Sequence, residues 1–388
     1  MVAPLMSFQR ALCPFCFEYF QLRQTPFRCN NTRSPCEFEV DPILDRHWGD
    51  SRKLGKVLSP ARRFVRGVKC DSCGKLSTKR LCPHCHADLP HTTGSLKSVI
   101  FAVIGAKEAG KSHYLATLIA QLKAYGGGLN LLLTAENDET TARYNSDFYD
   151  PVYCKHRPIS ATASGLADRR VQRPLVYRLK HNGKRWGRRS VLLVFFDTAG
   201  EDLDSDDTMS AVNRYIYRSD GLLLLVDPLQ LPRVRDQLGS SGGLPVINTE
   251  TSDIVTRVTR LIEIGRGIRA SDRIPIPLAV AFSKFDAVKA LVDAQFQLHN
   301  AARHDGGFDH HDFQAINGEM MALLDEWGGQ HLVHQVKTRF KKHGFFGVSA
   351  LGCNPHTTGD IPHVVPQRVE DPFLWLLAEN GLLGWVKR

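Results

Sequence analysis

The chain has 388 residues, 43% of them hydrophobic, and this length predicts two folding units because domains usually contain about 100 to 200 residues. Unbroken apolar runs such as 221–226 are far shorter than the roughly 18 residues of a membrane-spanning helix, which excludes a helical membrane protein. The first 12 residues contain no apolar stretch of signal-peptide length, so we expect a cytoplasmic protein.

The positive charge is concentrated at the start of the chain. The first 97 residues contain 16 Lys and Arg against 8 Asp and Glu, which is +8 of the total of +10. Lys and Arg displace counterions from any polyanion, so such a segment can bind nucleic acid, an acidic membrane surface or an acidic protein. The same composition is also compatible with a role in solubility alone.

Eight cysteines within residues 1–95 are spaced like metal ligands. In a reducing compartment, cysteine pairs at short spacing more often hold a metal than form a disulfide. A C-x2-C turn directs both sulfurs at one point, and four thiolates complete a closed, structural Zn2+ site. The predicted zinc ligands are Cys13, Cys16, Cys29, Cys36, Cys70, Cys73, Cys82 and Cys85.

We expect these ligands to divide in chain order. The matched pairs at 70–73 and 82–85, with Gly74 after the first, resemble a zinc ribbon over about residues 68–90, and the four earlier cysteines would form a second site. Cross-pairing between the two sets is the main alternative. His47, His84 or His86 could replace a thiolate, although a solvated histidine is the favoured interpretation of each.

A glycine-rich loop follows the first strong strand pattern. Residues 98–104 are typical of a buried parallel strand, and residues 113–122 have helical periodicity. Between them, the run Gly105-Ala106-Lys107-Glu108-Ala109-Gly110-Lys111-Ser112 matches GxxxxGK[ST], the phosphate-binding P-loop, in its required context. Backbone N–H groups would bind phosphate, Lys111 would reach the β and γ phosphates, and the Ser112 hydroxyl would bind Mg2+.

A second motif follows a predicted hairpin. Residues 174–181 and 189–196 look like two strands joined at Asn182-Gly183, and the second ends in Asp197-Thr198-Ala199-Gly200-Glu201. Here the chain resembles the Ras-like, translation-factor-related class of P-loop GTPases. The resemblance implies an α/β fold with a mainly parallel sheet and helices on both faces. It also implies that Asp197 holds Mg2+ through water and that the Gly200 N–H meets the γ-phosphate.

The resemblance extends to two guanine motifs. The run Ser283-Lys284-Phe285-Asp286 is similar to the family's [NT]KxD, in which Asp286 would accept two hydrogen bonds from guanine and Lys284 would stack along the base. Ser283 departs from the usual Asn or Thr, which allows a weaker guanine affinity. The run Ser349-Ala350-Leu351 is similar to the loop whose alanine N–H, here that of Ala350, meets the guanine oxygen.

The catalytic assignments follow from the same resemblance. A switch threonine near Mg2+ is expected between residues 134 and 170, and of Thr140, Thr141 and Thr162 we favour Thr162 because it precedes the hairpin in an irregular stretch. Glu201 stands where many relatives carry a glutamine that orients water. Its carboxylate would face the γ-phosphate, so we expect slow intrinsic hydrolysis, with Lys111 and Gly200 completing the catalytic set.

We therefore predict a zinc-binding segment over residues 1–95 and a P-loop GTPase domain over residues 96–388. Within the domain we expect a surface loop over 228–251, a helix over 252–269, a helical insertion at about 290–340 and a closing helix from Asp371. The motifs behind zinc knuckles resemble the bacterial double-GTPase proteins of the second type. That resemblance implies a second protein, such as another GTPase, as partner in a conflict or signalling system.

Two other function classes remain open at this point. The chain could be a zinc-ribbon module that binds a polyanion and carries a nucleotide-sensing domain without hydrolysis. An ATP-driven enzyme is the third possibility, and it would require the two guanine motifs to be accidental.

Overall fold

The computed structural model describes residues 10–31, 34–60, 66–159, 173–182, 189–196, 209–239, 251–302, 304–354 and 359–386. Four residues with predicted roles at the nucleotide lie outside these ranges, namely Thr162, Asp197, Gly200 and Glu201.

A sheet of seven strands forms the centre of the protein. The strands are β1 (Lys97–Gly105), β2 (Leu131–Ala135), β3 (Leu175–His181), β4 (Arg189–Phe195), β5 (Gly221–Val226), β6 (Leu278–Phe282) and β7 (His343–Gly347). Their order across the sheet is β2-β3-β4-β1-β5-β6-β7. Neighbours from β4 to β7 are parallel, whereas β3 is antiparallel to both β2 and β4. The protein therefore has a mixed α/β fold, and the predicted antiparallel pairing of β3 and β4 is confirmed. Gly183 of the predicted turn lies outside the described residues.

Both faces of this sheet are buried, which explains why its strands are apolar without interruption. In β1, the side chains of residues 99, 101 and 103 pack on one face, and those of residues 100, 102 and 104 pack on the other. The first face is covered by the helices Lys111–Tyr125 and Asp371–Glu379. The second face is covered by the helices Met209–Arg218, Thr251–Arg266, His310–Glu326 and Gln330–Arg339.

Two regions for which the sequence predicts no helix contain helices. The expected surface loop over 228–251 includes the helix Pro232–Leu238, because Pro232 fits the first helical position and Val234 is fully buried. The expected switch stretch begins with the helix Asp138–Arg143, which continues as the π-helix Tyr144–Cys154. Buried aromatic side chains of this π-helix pack into the first face, so tertiary burial stabilises a helix that the local sequence does not indicate.

The cysteine module, which we define as the described residues between 10 and 95, has much shorter elements. Its described strands have two or three residues: Arg10–Leu12, Tyr19–Gln21, Phe27–Arg28, Phe38–Val40, Lys53–Gly55, Val57–Leu58, Val68–Lys69, Leu76–Ser77 and Lys79–Arg80. One helix, Pro42–Trp48, is capped by Asp41. Phe15, Phe20 and Trp48 pack with Val176 of β3 and Leu192 of β4. The module therefore covers the β3–β4 end of the second face.

Candidate functional site

The glycine-rich loop lies between the end of β1 at Gly105 and the start of the helix Lys111–Tyr125. A Cβ atom added at Gly105 would lie 2.6 Å from the carbonyl oxygen of Leu225 in β5, so the loop leaves the sheet where only glycine fits. Gly110 has a φ of 84°, a left-handed conformation that glycine adopts without strain. These two glycines let the loop turn back over the amino end of the helix.

Lys111 is buried and lies folded over this loop. Its Nζ donates to the carbonyl oxygens of Gly105 and Ala106, at 3.0 and 2.9 Å. The ammonium group and the amino end of a 15-residue helix therefore lie at the same place. Both features attract anions, and a phosphate would be a stronger acceptor for the ammonium group than two neutral carbonyls.

The predicted guanine residues lie at the same edge of the sheet. Parallel pairing aligns Gly105 with Leu225, Val226 with Phe282, and Phe282 with Gly347, so the loops after β1, β5, β6 and β7 emerge side by side. The carboxylate of Asp286 accepts a hydrogen bond from the Ser349 hydroxyl, which joins the loop after β6 to the loop after β7. Ser349 is fully buried and is followed by Ala350 in this turn.

Ser283 and Lys284 are tied to the neighbouring strand β5. The buried Ser283 hydroxyl donates to the carbonyl oxygen of Val226 at 3.2 Å. Lys284 has a φ of 52°, and its Nζ lies 2.6 Å from Asp227 Oδ2. Asp227 also accepts the N–H of Leu229 at 2.9 Å. The sequence assigned no role to Asp227, although its position directly after a buried strand was visible.

His113 is a second residue that sequence reasoning missed. It follows Ser112 in the first turn of the helix, and its Nε2 accepts the backbone N–H of Ile159 at 3.0 Å. Burial and the nearby positive charge of Lys284 lower the pKa of His113 to about 4. The neutral ring therefore ties the glycine-rich loop to the stretch of chain that leads to Thr162.

The two alternative switch threonines have other partners. Thr140 lies in the helix Asp138–Arg143, where its buried hydroxyl accepts the N–H of Val176 at 3.2 Å. The Thr141 hydroxyl donates to the carbonyl oxygen of Asn137, the residue that caps this helix. One hydroxyl therefore contacts β3 and the other contacts the residue that caps its own helix, and the choice of Thr162 stays a prediction.

The eight predicted zinc ligands form two clusters of four thiols. One contains Cys13, Cys16, Cys82 and Cys85, and the other contains Cys29, Cys36, Cys70 and Cys73. The closest sulfur–sulfur separations are 3.7 to 3.9 Å in the first cluster and 3.5 to 3.8 Å in the second. Four sulfurs at 2.3 Å from one Zn2+ ion stand about 3.8 Å apart in a tetrahedron, whereas a disulfide would be about 2 Å long. Both donor sets therefore fit zinc.

The predicted division of these ligands in chain order is wrong, and cross-pairing is the observed arrangement. The pair Cys82–Cys85 joins the first knuckle of the chain rather than its neighbour Cys70–Cys73. The physical reason is strand pairing, because Lys79–Arg80 pairs with Phe27–Arg28 and carries the following knuckle back toward the start of the module. Zinc-ribbon spacing identified the ligands but not their grouping.

The three C-x2-C turns share one backbone geometry. In each, the residue after the second cysteine donates its N–H to the carbonyl of the first cysteine, at 3.2 Å for Phe17, 2.8 Å for Gly74 and 3.0 Å for His86. All three residues have left-handed φ values, of 60°, 68° and 54°. Such a φ is unusual for phenylalanine, so strong contacts must hold Phe17 in place.

Those contacts reach the central sheet and a helix that covers it. The Phe17 ring is buried against Phe196 and Tyr215, with centroid separations of 5.9 and 5.3 Å. Phe196 directly precedes Asp197, and Tyr215 lies in the helix Met209–Arg218. The Tyr215 hydroxyl lies 2.8 Å from the carbonyl oxygen of Phe101 and accepts the N–H groups of Val103 and Phe196, both at 3.2 Å. The module therefore contacts the end of the strand that leads into the predicted magnesium motif.

His86 uses its left-handed position differently. Its Nδ1 lies 2.8 Å from a carboxylate oxygen of Asp41, so it pairs with an acid rather than replacing a thiolate. The buried Arg28 guanidinium binds the same carboxylate at 2.8 Å. Hydrogen bonds from Arg28 and His86 outweigh burial and lower the pKa of Asp41.

The crowded thiols shift one another's protonation. Hydrogen bonds from Cys13, Cys16 and Cys85 lower the pKa of the Cys82 thiol, whereas burial raises the pKa of Cys13. In the second cluster, backbone N–H groups of the knuckle lower the pKa of Cys70 to about 7. Thiolates are the zinc-binding form, so metal binding by these clusters would release protons.

A third group of possible ligands is a salt-bridge network. His304, Asp312 and Asp371 lie together, but the buried Arg368 guanidinium binds both carboxylates, at 2.9 Å from Asp312 and 2.6 Å from Asp371. His304 Nε2 donates to Asp371 Oδ1 at 2.9 Å. A bound cation would have to displace this arginine, so the group ties the closing helix to the helix His310–Glu326.

No helix in the described part of the chain is long and apolar enough to cross a membrane.

No protein-family model matches the chain. In sequence, the chain is 27% identical over 327 residues to "Putative ESX-1 scaffolding and assembly protein SaeC" of Mycolicibacterium smegmatis, and the match covers 78% of this chain and 80% of that protein.

Solved structures of two proteins are similar to the chain at low identity. One is Methanosarcina barkeri Roco2 RocCORdC bound to GDP, with 14% identity, a TM-score of 0.28 and coverage of 74% of this chain. Another is the S. cerevisiae Ski7 GTPase-like domain bound to GDP and inorganic phosphate, with 13% identity, a TM-score of 0.32 and coverage of 73%. In both cases the match spans 50% of the other chain.

Proposed function

We propose that the chain is a Mg2+-dependent GTP-binding protein that hydrolyses GTP slowly and acts as a switch. The observation that carries the proposal is the arrangement at one sheet edge. The buried Lys111 lies over the glycine-rich loop after β1, and Asp286 is joined to Ser349 across the loops after β6 and β7. Lys111 and the glycine-rich loop can bind phosphate, and the carboxylate of Asp286 is held where it can accept hydrogen bonds from a base.

In this proposal, Mg2+ is held by Ser112 and by Asp197 through water, and it neutralises charge on the phosphates. The backbone N–H groups of residues 105–112 bind phosphate, and the Gly200 N–H meets the γ-phosphate. Thr162 completes the magnesium site, and the His113–Ile159 hydrogen bond supports that role because it anchors the chain three residues earlier. Glu201 orients water with a carboxylate that opposes the γ-phosphate charge, so hydrolysis is slow until a partner intervenes.

The guanine preference tests the proposal most directly. We expect the purified protein with Mg2+ to bind GTP and GDP but not ATP, and Asp286→Ala to lose both, as measured by calorimetric titration. Asp286→Asn should lose GTP and gain xanthosine triphosphate, which has a carbonyl where guanine has its amino group. Asp325→Asn, an exposed carboxylate outside the site, is the matched control. ATP binding, or GTP binding unchanged in Asp286→Ala, would overturn the assignment.

We propose further that each cysteine cluster holds one structural Zn2+ ion. All four positions of each tetrahedron are filled by thiolates, so neither ion has an open position for catalysis. The zinc ions would fix the module against β3 and β4 rather than take part in the chemistry.

The sequence similarity supports a more specific role. The relative from Mycolicibacterium smegmatis is named as a scaffolding and assembly protein, and the match covers most of both chains. We therefore propose that the nucleotide state controls assembly with a second protein, for which another GTPase is the class that the sequence resemblance implies. Partner capture that is the same in GTP, in GDP and without nucleotide would contradict this role while leaving GTP binding intact.

A further inference from the structure

A second cleft lies at the opposite end of the sheet from the glycine-rich loop. It has a volume of about 860 Å³ and lies where β1 begins at Lys97 and β5 begins at Gly221. Its walls come from both parts of the protein: Arg10 and Tyr19 from the cysteine module, Lys97 from β1, and Arg218, Asp220 and Arg266 from the second face. Any ligand bound there would contact the module and the nucleotide domain together.

The cleft carries uncompensated positive charge. Asp220 is already engaged, because one carboxylate oxygen lies 2.9 Å from Lys97 Nζ and the other accepts the N–H of Ile100 at 3.1 Å. Among the described residues, Arg10, Arg218 and Arg266 have no carboxylate within ion-pair distance.

Three arginines with little exposed side chain elsewhere in the described structure are paired with carboxylates. Arg28 lies 2.8 Å from Asp41, Arg173 lies 2.9 Å from Asp50, and Arg368 lies 2.6 Å from Asp371. The cleft has four cationic side chains and the one carboxylate of Asp220, and like charges gathered in one concave site repel one another unless an anion joins them.

The guanidinium groups are also held in fixed orientations. The Arg10 and Arg218 guanidinium carbons lie 4.7 and 4.8 Å from the centre of the Tyr19 ring, and that of Arg218 lies 5.2 Å from the Tyr217 ring. Arg266 is tethered by two hydrogen bonds, from Nε to the Tyr217 carbonyl oxygen at 2.6 Å and from Nη2 to the Ser219 carbonyl oxygen. A guanidinium stacked on a ring keeps its N–H edge available for bidentate binding of phosphate or carboxylate.

We propose that this cleft binds a compact anion with two or more phosphate groups. Its volume is within the usual range for small-ligand pockets, about 300 to 1,000 Å³. Phosphate groups linked in series place more charge in that volume than a peptide with one carboxylate per residue. Single-stranded nucleic acid binds through bases stacked on free aromatic faces, but here arginine side chains occupy the Tyr19 ring. Inorganic polyphosphate and the phosphate tail of a nucleotide share the chemistry that the cleft recognises.

The test uses calorimetry of the full chain with inorganic tripolyphosphate, in a Lys111→Met background that removes the lysine of the glycine-rich loop. We expect one molecule bound per chain. Arg218→Gln should weaken binding at least tenfold. Arg218→Lys should weaken it nearly as much, because lysine keeps the positive charge but lacks the planar guanidinium that stacks on the ring and binds phosphate through two N–H groups. Arg260→Gln, at an exposed arginine outside the cleft, is the matched control. Thermal melting of each variant checks that it is folded.

Further arms of the same experiment separate the possible ligands. If GDP binds in the Lys111→Met background and Arg218→Gln removes that binding, the cleft takes nucleotide phosphates; if tripolyphosphate alone binds, it takes the inorganic ion. No tripolyphosphate binding in this background, or binding unaffected by Arg218→Gln, would overturn the proposal. Tighter binding of an oligoglutamate peptide or a short oligonucleotide would also overturn it and assign the cleft to another ligand class.

Discussion

The central sheet and the cysteine module are held together by different forces. In β1, seven consecutive residues from Val99 to Gly105 are buried, so burial of apolar surface, worth about 25 cal/mol per Å², stabilises the sheet. In the described part of the module no strand exceeds three residues, and thiols from distant stretches meet in two clusters instead. The sheet is therefore stabilised by its own side chains, whereas the module would be stabilised by the zinc ions that we propose for its two thiol clusters.

The two regions meet through aromatic side chains rather than through a flexible link. Phe17, in a strained position of the first knuckle, packs on Phe196 and Tyr215, which lie at the carboxyl end of β4 and in the next helix. Phe17 directly follows Cys16 of the first thiol cluster, so only this side chain separates that cluster from Phe196, the residue before Asp197. If the cluster holds zinc as proposed, loss of the ion should affect the central sheet as well as the module.

The largest expected effect comes from breaking the thiol clusters. Zn2+ binding supplies on the order of 10 kcal/mol to small zinc domains, so loss of one ligand should release that cluster's ion. We expect two zinc ions per wild-type chain by elemental analysis. Cys13→Ser with Cys82→Ser should leave one ion, whereas Cys13→Ser with Cys29→Ser should leave none.

If instead the first double variant kept no ion and the second kept one, the zinc ligands would be divided in chain order. Cys154→Ser, at an exposed cysteine outside both clusters, should keep two ions and serves as the control.

An intermediate effect is expected where the sheet meets the helix Met209–Arg218. Tyr215→Phe removes the hydroxyl that forms hydrogen bonds with backbone groups of Phe101, Val103 and Phe196. Because these buried groups lose a partner, the free energy of unfolding should fall by about 1 to 3 kcal/mol. Tyr177→Phe is the matched control, because that buried hydroxyl has no hydrogen-bond partner among the described residues. Equal losses in denaturant titrations of both variants would contradict the role of the Tyr215 hydroxyl.

The smallest expected effect is a pH dependence of the free energy of unfolding that arises from His113. Its pKa of about 4 in the folded chain is below the value of about 6.5 for an unfolded chain, so the unfolded state binds more protons as the pH falls. Stability should therefore be lost from about pH 6.5 down to pH 4. His113→Gln keeps an acceptor but cannot titrate, and between pH 7 and 5 it should lose about 1 to 2 kcal/mol less than the wild type.

Denaturant titrations at several pH values measure this difference. His331→Gln, at an exposed histidine, should follow the wild-type profile. A His113→Gln profile parallel to that of the wild type would show that His113 does not titrate in this way.

Local sequence was sufficient to predict a structural feature wherever one short segment contains all the residues that specify it. The loop 105–112 lies between a buried strand and a helix because its glycines and its apolar flanks specify that turn by themselves. The β3–β4 hairpin and the closing helix Asp371–Glu379 follow from strand patterns and from Pro372 in the same way. The eight thiol ligands were equally visible, because a C-x2-C turn is a local structure.

Tertiary structure decided what requires distant residues to meet. The grouping of the thiols depends on the pairing of Phe27–Arg28 with Lys79–Arg80, which the spacing of cysteines does not encode. The bond between Asp286 and Ser349 exists because parallel strands place their loops side by side. Arg10, Lys97, Arg218 and Arg266 are too far apart in sequence to suggest a common site. Local segments thus specify turns, strands and ligand types, while the geometry of the sheet specifies which of them share a site.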